Sequence, residues 1–202
     1  NAFICKPSNL SLARGIQKYN ISDFSSIGGL YNEILSKKPV IIEELIYNDK
    51  SFSMFHERSL NIVRIVVFRL RTGEIKIQRA YMGIGIGNKD YANTGAGSIA
   101  VPININTGKT CGRGFTQDGG VYDVHPDSGV KLTDYQVERW DELMELVHKL
   151  STIMPEIKYV GWDFALTPKG WIIVEGNGNA GQTIHQIMDS KSVYKEFLNL
   201  YM

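Results

Sequence analysis

Two parts of this chain have the pattern of tight antiparallel hairpins. Residues 61–71 and 75–84 are apolar and β-branched, and only Thr72-Gly73-Glu74 separates them. Residues 158–166 and 171–175 repeat the pattern around Thr167-Pro168-Lys169-Gly170. A connection this short reverses the chain at once, whereas parallel neighbours need a crossover of about a dozen residues. A doubly wound parallel sheet is therefore disfavoured. Hairpins with helices kept to one side predict an α+β fold.

The other segments fit that frame. Residues 3–7, 40–46 and 98–105 read as strands, and the middle of the chain is rich in glycine (Gly83, Gly85, Gly87, Gly95, Gly97). Helical spacing of Phe24, Ile27, Leu30, Tyr31, Ile34 and Leu35 predicts a helix over 22–37, stopped by Pro39. A short helix is expected over 53–58. The strongest helical pattern opens at Thr133, which forms a capping box with Gln136, and Pro155 closes it. Val137, Trp140, Leu143, Met144, Val147 and Leu150 line its apolar face. A last helix is expected over 190–201, with Val193, Phe197 and Leu200 turned inward.

Composition removes whole classes of function. With 22 Lys and Arg against 21 Asp and Glu, the net charge is +1 and no basic run is present, so nucleic acid is not an expected partner. No apolar run approaches the ~20 residues of a membrane span. Two cysteines, Cys5 and Cys111, are too few for a disulfide framework and read as thiols of a reducing, cytoplasmic compartment. Asn1-Ala2 is expected to be a tag remnant ahead of the first strand.

Four features carry candidate chemistry. On a strand of period two, Ile173, Glu175 and Asn177 are expected to face one way. With Asp163 on the partner strand they offer three hard oxygen ligands, the type that Mg²⁺ takes while keeping several waters. Lys6, at the end of Phe3-Ile4-Cys5-Lys6-Pro7 and before the loop 8–15, can meet a phosphate as a point charge. Glu43 and Glu44 interrupt an apolar strand, so one must turn inward or the strand must end there. Arg64, inside Asn61-Ile62-Val63-Arg64-Ile65-Val66-Val67, needs an anionic partner.

The order of these features resembles the ATP-grasp superfamily, and within it the sugar-transfer-associated branch. The likeness runs from Phe3 to about Gln186, and its most specific part is G-W-D-F-A-L-T-P-K-G-W-I-I-V-E-G-N. It implies antiparallel sheets with flanking helices and a nucleotide in the cleft between lobes. Residues 3–46 would be part of a small lobe and residues 47–202 the metal- and phosphate-binding lobe, with a further N-terminal lobe lacking. ATP and Mg²⁺ are the implied cofactors. Lys6 matches the lysine that reaches the nucleotide phosphates. Glu43 matches the adenine-hinge glutamate, and Glu44, Leu45 and Ile46 supply backbone contacts and an apolar wall to the base. Asn61 sits where a polar residue would face the ribose. Arg64 matches the arginine placed on the transferred phosphate or acyl intermediate, as the catalytic residue. Asp163, Glu175 and Asn177 match the metal ligands. Asn93 and His125 fall in segments that make them candidate acceptor-site residues. The loop 8–15 departs from the pattern, with one glycine where the family usually has three or four.

Three functions stay open on this reading. The first is a carboxylate–amine ligase acting through an acylphosphate, in modification of an exopolysaccharide or other cell-surface glycan. Its partners would be a small-molecule carboxylate and an amine, sugar-derived in this branch. The second is a phosphotransferase of the same fold, with Asp123 or His125 as base. The third is a degenerate nucleotide-binding domain.

Overall fold

The computed structural model describes residues 2–8, 15–36, 39–88, 90–194 and 197–198, and the chain divides into two units, Asn1–Tyr47 and Asn48–Met202. In the first unit β1 (Ala2–Pro7) is the central strand, with β2 (Gln17–Asn20) on one side and β3 (Val40–Glu44) on the other, both antiparallel. β2 was not expected from the sequence. Cys5 on β1, Tyr19 on β2, and Leu30 and Ile34 on α1 (Ile27–Leu35) form the small core, with Phe3, Phe24 and Val40 packed against it. The helix starts five residues later than expected. Ser26 caps it by accepting from the Gly29 amide at 3.1 Å, and Ile21–Asp23 form a separate 3₁₀ turn. β3 stops at Glu44 with both carboxylates exposed, so the acidic pair marks the strand's end. Residues 9–14 of the loop after Lys6 lie outside the described residues.

The second unit is built on the two expected hairpins. β4 (Ile62–Arg69) pairs with β5 (Ile75–Ile84), and β10 (Tyr159–Thr167) with β11 (Gly170–Asn177). The remaining strands are β6 (Ile99–Asn104), β7 (Lys109–Thr110), β8 (Gly114–Phe115) and β9 (Val121–Tyr122). They form an eight-stranded sheet in the order β11-β10-β4-β5-β6-β8-β9, with β7 on β6. β11 is thus an edge strand, which the sequence treats as buried; Ile173 and Val174 are exposed.

Alternation divides this sheet into two different faces. Val63, Ile65 and Val67 join Ala80, Met82, Val101, Val160 and Phe164 in the main core, covered by Trp140, Leu143 and Val147 of α3 (Trp140–Ile153). The opposite face carries Arg64, Val66 and Phe68. Part of it is closed by Ala180 over Val66 and by Ile184 of α4 (Thr183–Asp189) against Tyr81 and Ala100.

Two helix expectations change in this unit. The Thr133 capping box does not form, and α3 begins at Trp140 behind Arg139 in the left-handed region. Tertiary pairing takes the groups that the cap would have used. The Tyr135 amide donates to Thr110 Oγ1 at 2.9 Å, the Val137 amide to the Gly108 carbonyl at 3.0 Å, and the Gln136 side chain to the Thr107 carbonyl at 3.1 Å. α2 (Lys50–Ser53) lies upstream of the expected 53–58, because Asp49 accepts from the Ser51 amide at 2.9 Å and fixes the start. The last expected helix is present where it is described: residues 194 and 197–198 are helical, the Phe197 amide donates to the Val193 carbonyl at 3.1 Å, Val193 is buried and Phe197 packs on the Phe68 cluster, while α4 before it was not expected; residues 195–196 and 199–202, Leu200 among them, lie outside the described residues. No described helix is long and apolar enough to cross a membrane.

Candidate functional site

In the first unit, register brings Lys6 and Glu43 onto one face of the small sheet. Ile4 stands opposite Glu43 and Lys6 opposite Ile41, on the face away from the Cys5 core. The Lys6 Nζ lies 2.5 Å from Glu43 Oε2, with both side chains partly open to solvent. Such a pair contributes ~0–1 kcal/mol, so an incoming anion displaces it at little cost. Leu45 and Ile46 follow the strand, half-buried.

In the second unit, cross-strand register sets a polar row on the less covered face. Glu175 stands opposite Asp163, Asp163 opposite Arg64, and Arg64 opposite Tyr81. Arg64 grips Asp163 with both arms of its guanidinium: Nε donates to Oδ1 at 2.6 Å and Nη2 donates to Oδ2. Asp163 is 5% exposed. Burial works against the charge on Arg64, and the hydrogen bonds to Asp163 with the nearby negative charges outweigh it, so the guanidinium holds its proton beyond the ordinary arginine value. Burial lifts the Asp163 carboxyl above the usual carboxylate range, against the pull of Arg64. Burial also raises the Tyr81 phenol, whose hydroxyl interacts with Thr94 and Arg64. The row is thus a neutral phenol, a cation, a buried anion and an exposed anion.

The outer end differs in kind. A one-residue register shift between Asp163 and Phe164 sets Ile173 opposite Phe164 and Glu175 opposite Asp163. Neighbours on β10 point to opposite faces, so Ile173 and Glu175 do not share a face as strict alternation predicts; the bulge at Val174 turns Glu175 toward Arg64. Asn177, opposite Gly161, shares that face. The glycine between them is a packing necessity, since a Cβ on Gly176 would lie 2.4 Å from the Trp162 ring. Among the described residues no side chain is hydrogen-bonded to the Glu175 carboxylate or the Asn177 amide.

The donor set suits a hard cation in part. Asp163 has both oxygens on Arg64, while Glu175 and Asn177 offer a carboxylate and an amide oxygen that are not engaged. No cluster of three or more His, Cys, Asp or Glu able to hold a metal occurs among the described residues. Mg²⁺ does not require one, because it keeps several waters and takes one or two carboxylates plus phosphate oxygens.

Two other candidates are held inside the protein, and a third, Asn93, is half-buried. Asn61 is fully buried; its amide donates to the Phe52 and His56 carbonyls at 3.0 and 2.9 Å and accepts from Ser59 Oγ at 2.7 Å and the Gly85 amide at 3.2 Å. It braces the turn before β4 and faces no open space. His125 is fully buried, with Nε2 donating to the Gly85 carbonyl at 2.8 Å and Nδ1 accepting from the amides of Asp127 and Ser128. Burial, first among its influences, lowers its pKa. Asn93 accepts from the Gly95 amide at 2.9 Å and caps the 3₁₀ turn Thr94–Ala96. The residues the sequence reading missed are the partners in this cluster, His56 and Ser59. His56 bonds the Gly87 carbonyl at 2.8 Å through Nε2. The glycine run was the available signal: a Cβ on Gly85 would fall 2.3 Å from Ser59 Oγ.

Against known proteins, a family model described as sugar-transfer associated ATP-grasp matches residues 5–200. Among solved structures, the ADP complex of purK, N5-carboxyaminoimidazole ribonucleotide synthetase, superposes with a TM-score of 0.55 at 10% identity, covering 98% of this chain and 41% of that one. The Staphylococcus aureus N5-carboxyaminoimidazole synthetase complexed with ADP gives 0.50 at 11% identity, covering 93% and 37%. The chain therefore spans about two fifths of the length of these structures, and at such identity the likeness is one of fold: antiparallel sheets with few helices. No curated protein matches the sequence.

Proposed function

Because this chain belongs to the sugar-transfer associated ATP-grasp family, we propose that it carries the nucleotide- and metal-binding strands of an ATP-dependent carboxylate–amine ligase. The observation that carries the reading is the outer end of the polar row, where Glu175 and Asn177 stand unengaged beside a buried ion pair. Lys6 is assigned the nucleotide phosphates, and Glu43 with Glu44, Leu45 and Ile46 the adenine. Glu175 and Asn177 would hold Mg²⁺, with Asp163 behind them. When bound, that ion would offset the negative charge of the nucleotide phosphates.

In the reaction, a substrate carboxylate oxygen bonds to the γ-phosphorus of ATP as the bond to ADP breaks, giving an acylphosphate. An amine then adds at the acyl carbon, phosphate leaves, and the amine's proton passes to solvent. Negative charge builds on the transferred phosphoryl group, and Arg64 is there to offset it. Asp163 holds the guanidinium in place, so little reorganisation is needed as charge develops. The family description, sugar-transfer associated, supports sugar-derived substrates; joining of an amine to a surface glycan is our reading of the same likeness.

A phosphotransferase would need a base at the acceptor hydroxyl. His125 has both ring nitrogens bonded inside the fold, which removes it as that base, while Asp123 is exposed in a surface pair with Arg113 at 2.9 and 3.0 Å. Of the two expected bases only Asp123 is open to an acceptor, and unchanged turnover in Asp123→Asn is the result expected of the ligase. The test is calorimetric titration with Mg²⁺ and a non-hydrolysable ATP analogue, comparing the chain with Glu175→Ala and Asn177→Ala. Metal-dependent binding lost in both variants, with circular dichroism unchanged, is the expected result. Equal affinity in all three proteins would overturn the assignment.

A further inference from the structure

Tyr81 closes the inner end of the polar row, and its ring and its hydroxyl are held for different reasons. The ring is buried with Ala100 and Ile184, Phe115 and Met188 pack against that cluster, and the His185 ring stands 5.3 Å away. A phenylalanine would fill the same space. The hydroxyl is the part of the side chain that this packing does not account for.

The surroundings of the hydroxyl are polar. Register sets Tyr81 directly opposite Arg64, and the phenol interacts with the Arg64 guanidinium and with Thr94. Thr94 is buried and belongs to a turn closed on itself. The Ala96 and Ser98 amides donate to the Asn93 carbonyl at 2.9 and 3.1 Å, and the Asn93 amide donates to Ser98 Oγ at 2.9 Å. Gln117 reaches the Thr94 hydroxyl at 3.5 Å. Through Thr94 the turn that carries Asn93 thus meets the polar row.

We infer that Tyr81 is a positioning residue, whose hydroxyl holds the Arg64 guanidinium from β5 and ties it to the Asn93–Gly97 turn. The strand order β10-β4-β5 puts Asp163 and Tyr81 on the two strands that flank Arg64. A guanidinium is a planar fork of N–H donors, and Asp163 engages it at Nε and Nη2. A clamp on one edge still lets the plane swing together with the Asp163 side chain. A second contact from the other flank removes that freedom. A neutral phenol suits the task, because a second carboxylate there would compete with an incoming phosphate for the arginine. In the ligase reading Arg64 offsets charge on the transferred phosphoryl group, so Tyr81 would act on the transition state more than on nucleotide binding. That role in the reaction rests on the reading; the placement of Arg64 does not.

The first measurement needs no nucleotide. Hydrogen exchange of the Arg64 side-chain N–H groups with water is followed by NMR, the signals being assigned by their loss in Arg64→Lys. Exchange should be about tenfold faster in Tyr81→Phe than in the wild-type chain, with circular dichroism unchanged. Thr94→Val should give a smaller change in the same direction, and none when added to Tyr81→Phe, because it acts through the phenol. Unchanged exchange in Tyr81→Phe overturns the inference. A Thr94→Val effect that persists without the phenol overturns the link to the turn. The second measurement compares Mg²⁺-ADP alone with Mg²⁺-ADP and aluminium fluoride, which imitates a phosphoryl group in transfer. Tyr81→Phe should bind ADP as the wild type does and the aluminium fluoride complex about tenfold more weakly. Equal weakening of both, or of neither, overturns the role in the reaction. A wild-type chain that binds neither form overturns the nucleotide assignment instead, and the exchange rates then still decide whether Tyr81 holds Arg64.

Discussion

Two polar clusters in the second unit contrast with each other. Around Asn61, His56 and His125, every described side-chain bond ends on another part of the protein, and the backbone near Gly85 and Gly87 is held from three sides. Along Tyr81, Arg64, Asp163 and Glu175, the inner members are locked and the outermost is left open. Both clusters place polar residues on or beside apolar strands. A buried polar group with all its bonds closed specifies the fold; one whose row ends in an unengaged carboxylate has capacity left for a ligand.

The largest effect that would break this contrast is at Asp163. Asp163→Ala strands the Arg64 guanidinium in a buried site and should cost about 3–5 kcal/mol in urea unfolding. Replacing both partners, Arg64→Met with Asp163→Leu, should recover most of that loss. Asn61→Ala comes next: it leaves the His56 carbonyl and the Gly85 amide without the side-chain partner that Asn61 gives them, at ~3 kcal/mol, and the folded protein should bind the nucleotide analogue as before. Loss of binding at wild-type stability would reverse the reading of Asn61.

His125 gives a smaller effect with a definite sign. Its pKa in the fold lies below the ordinary value of 6.5. The unfolded chain then takes up the proton first as pH falls. The contribution of His125 to stability is full above pH 6.5 and declines as pH drops from there toward the folded-state value. Urea midpoints measured from pH 7.5 downward should show this decline, and His125→Gln should flatten it. Smallest of all, Glu175→Ala should shift the midpoint by no more than ~0.5 kcal/mol, as expected for an exposed side chain with no partner.

The hairpins and the α+β class were legible because strand alternation and turn chemistry are local. Residues 158–166 and 171–175 were read nearly as they stand in β10 and β11. The need of Arg64 for an anion could also be read, since a charge inside Ile-Val-x-Ile-Val has few alternatives. That the anion is Asp163, the same residue expected to ligate metal, could not, because register between β4 and β10 is a long-range property. Thr133 and Gln136 had the local signature of a cap, and pairing with Thr107, Gly108 and Thr110 overrode it. Asn61 and Lys6 look alike in sequence, each a polar residue beside an apolar strand. Only packing distinguishes the internal brace from the solvent-facing charge.

The bulge at Val174 has a consequence for how this protein behaves at high concentration. β11 is the outermost strand of its sheet and exposes Ile173 and Val174, a combination that invites strand-to-strand association between molecules. A bulge bends the strand and spoils its regular row of free amides and carbonyls. Deleting Val174 would restore an even ladder and keep Glu175 opposite Asp163, so the cation-binding face would survive. The flat apolar edge left behind would be a template for aggregation. One extra residue is thus expected to protect the strand that carries Glu175 and Asn177 from edge-to-edge pairing.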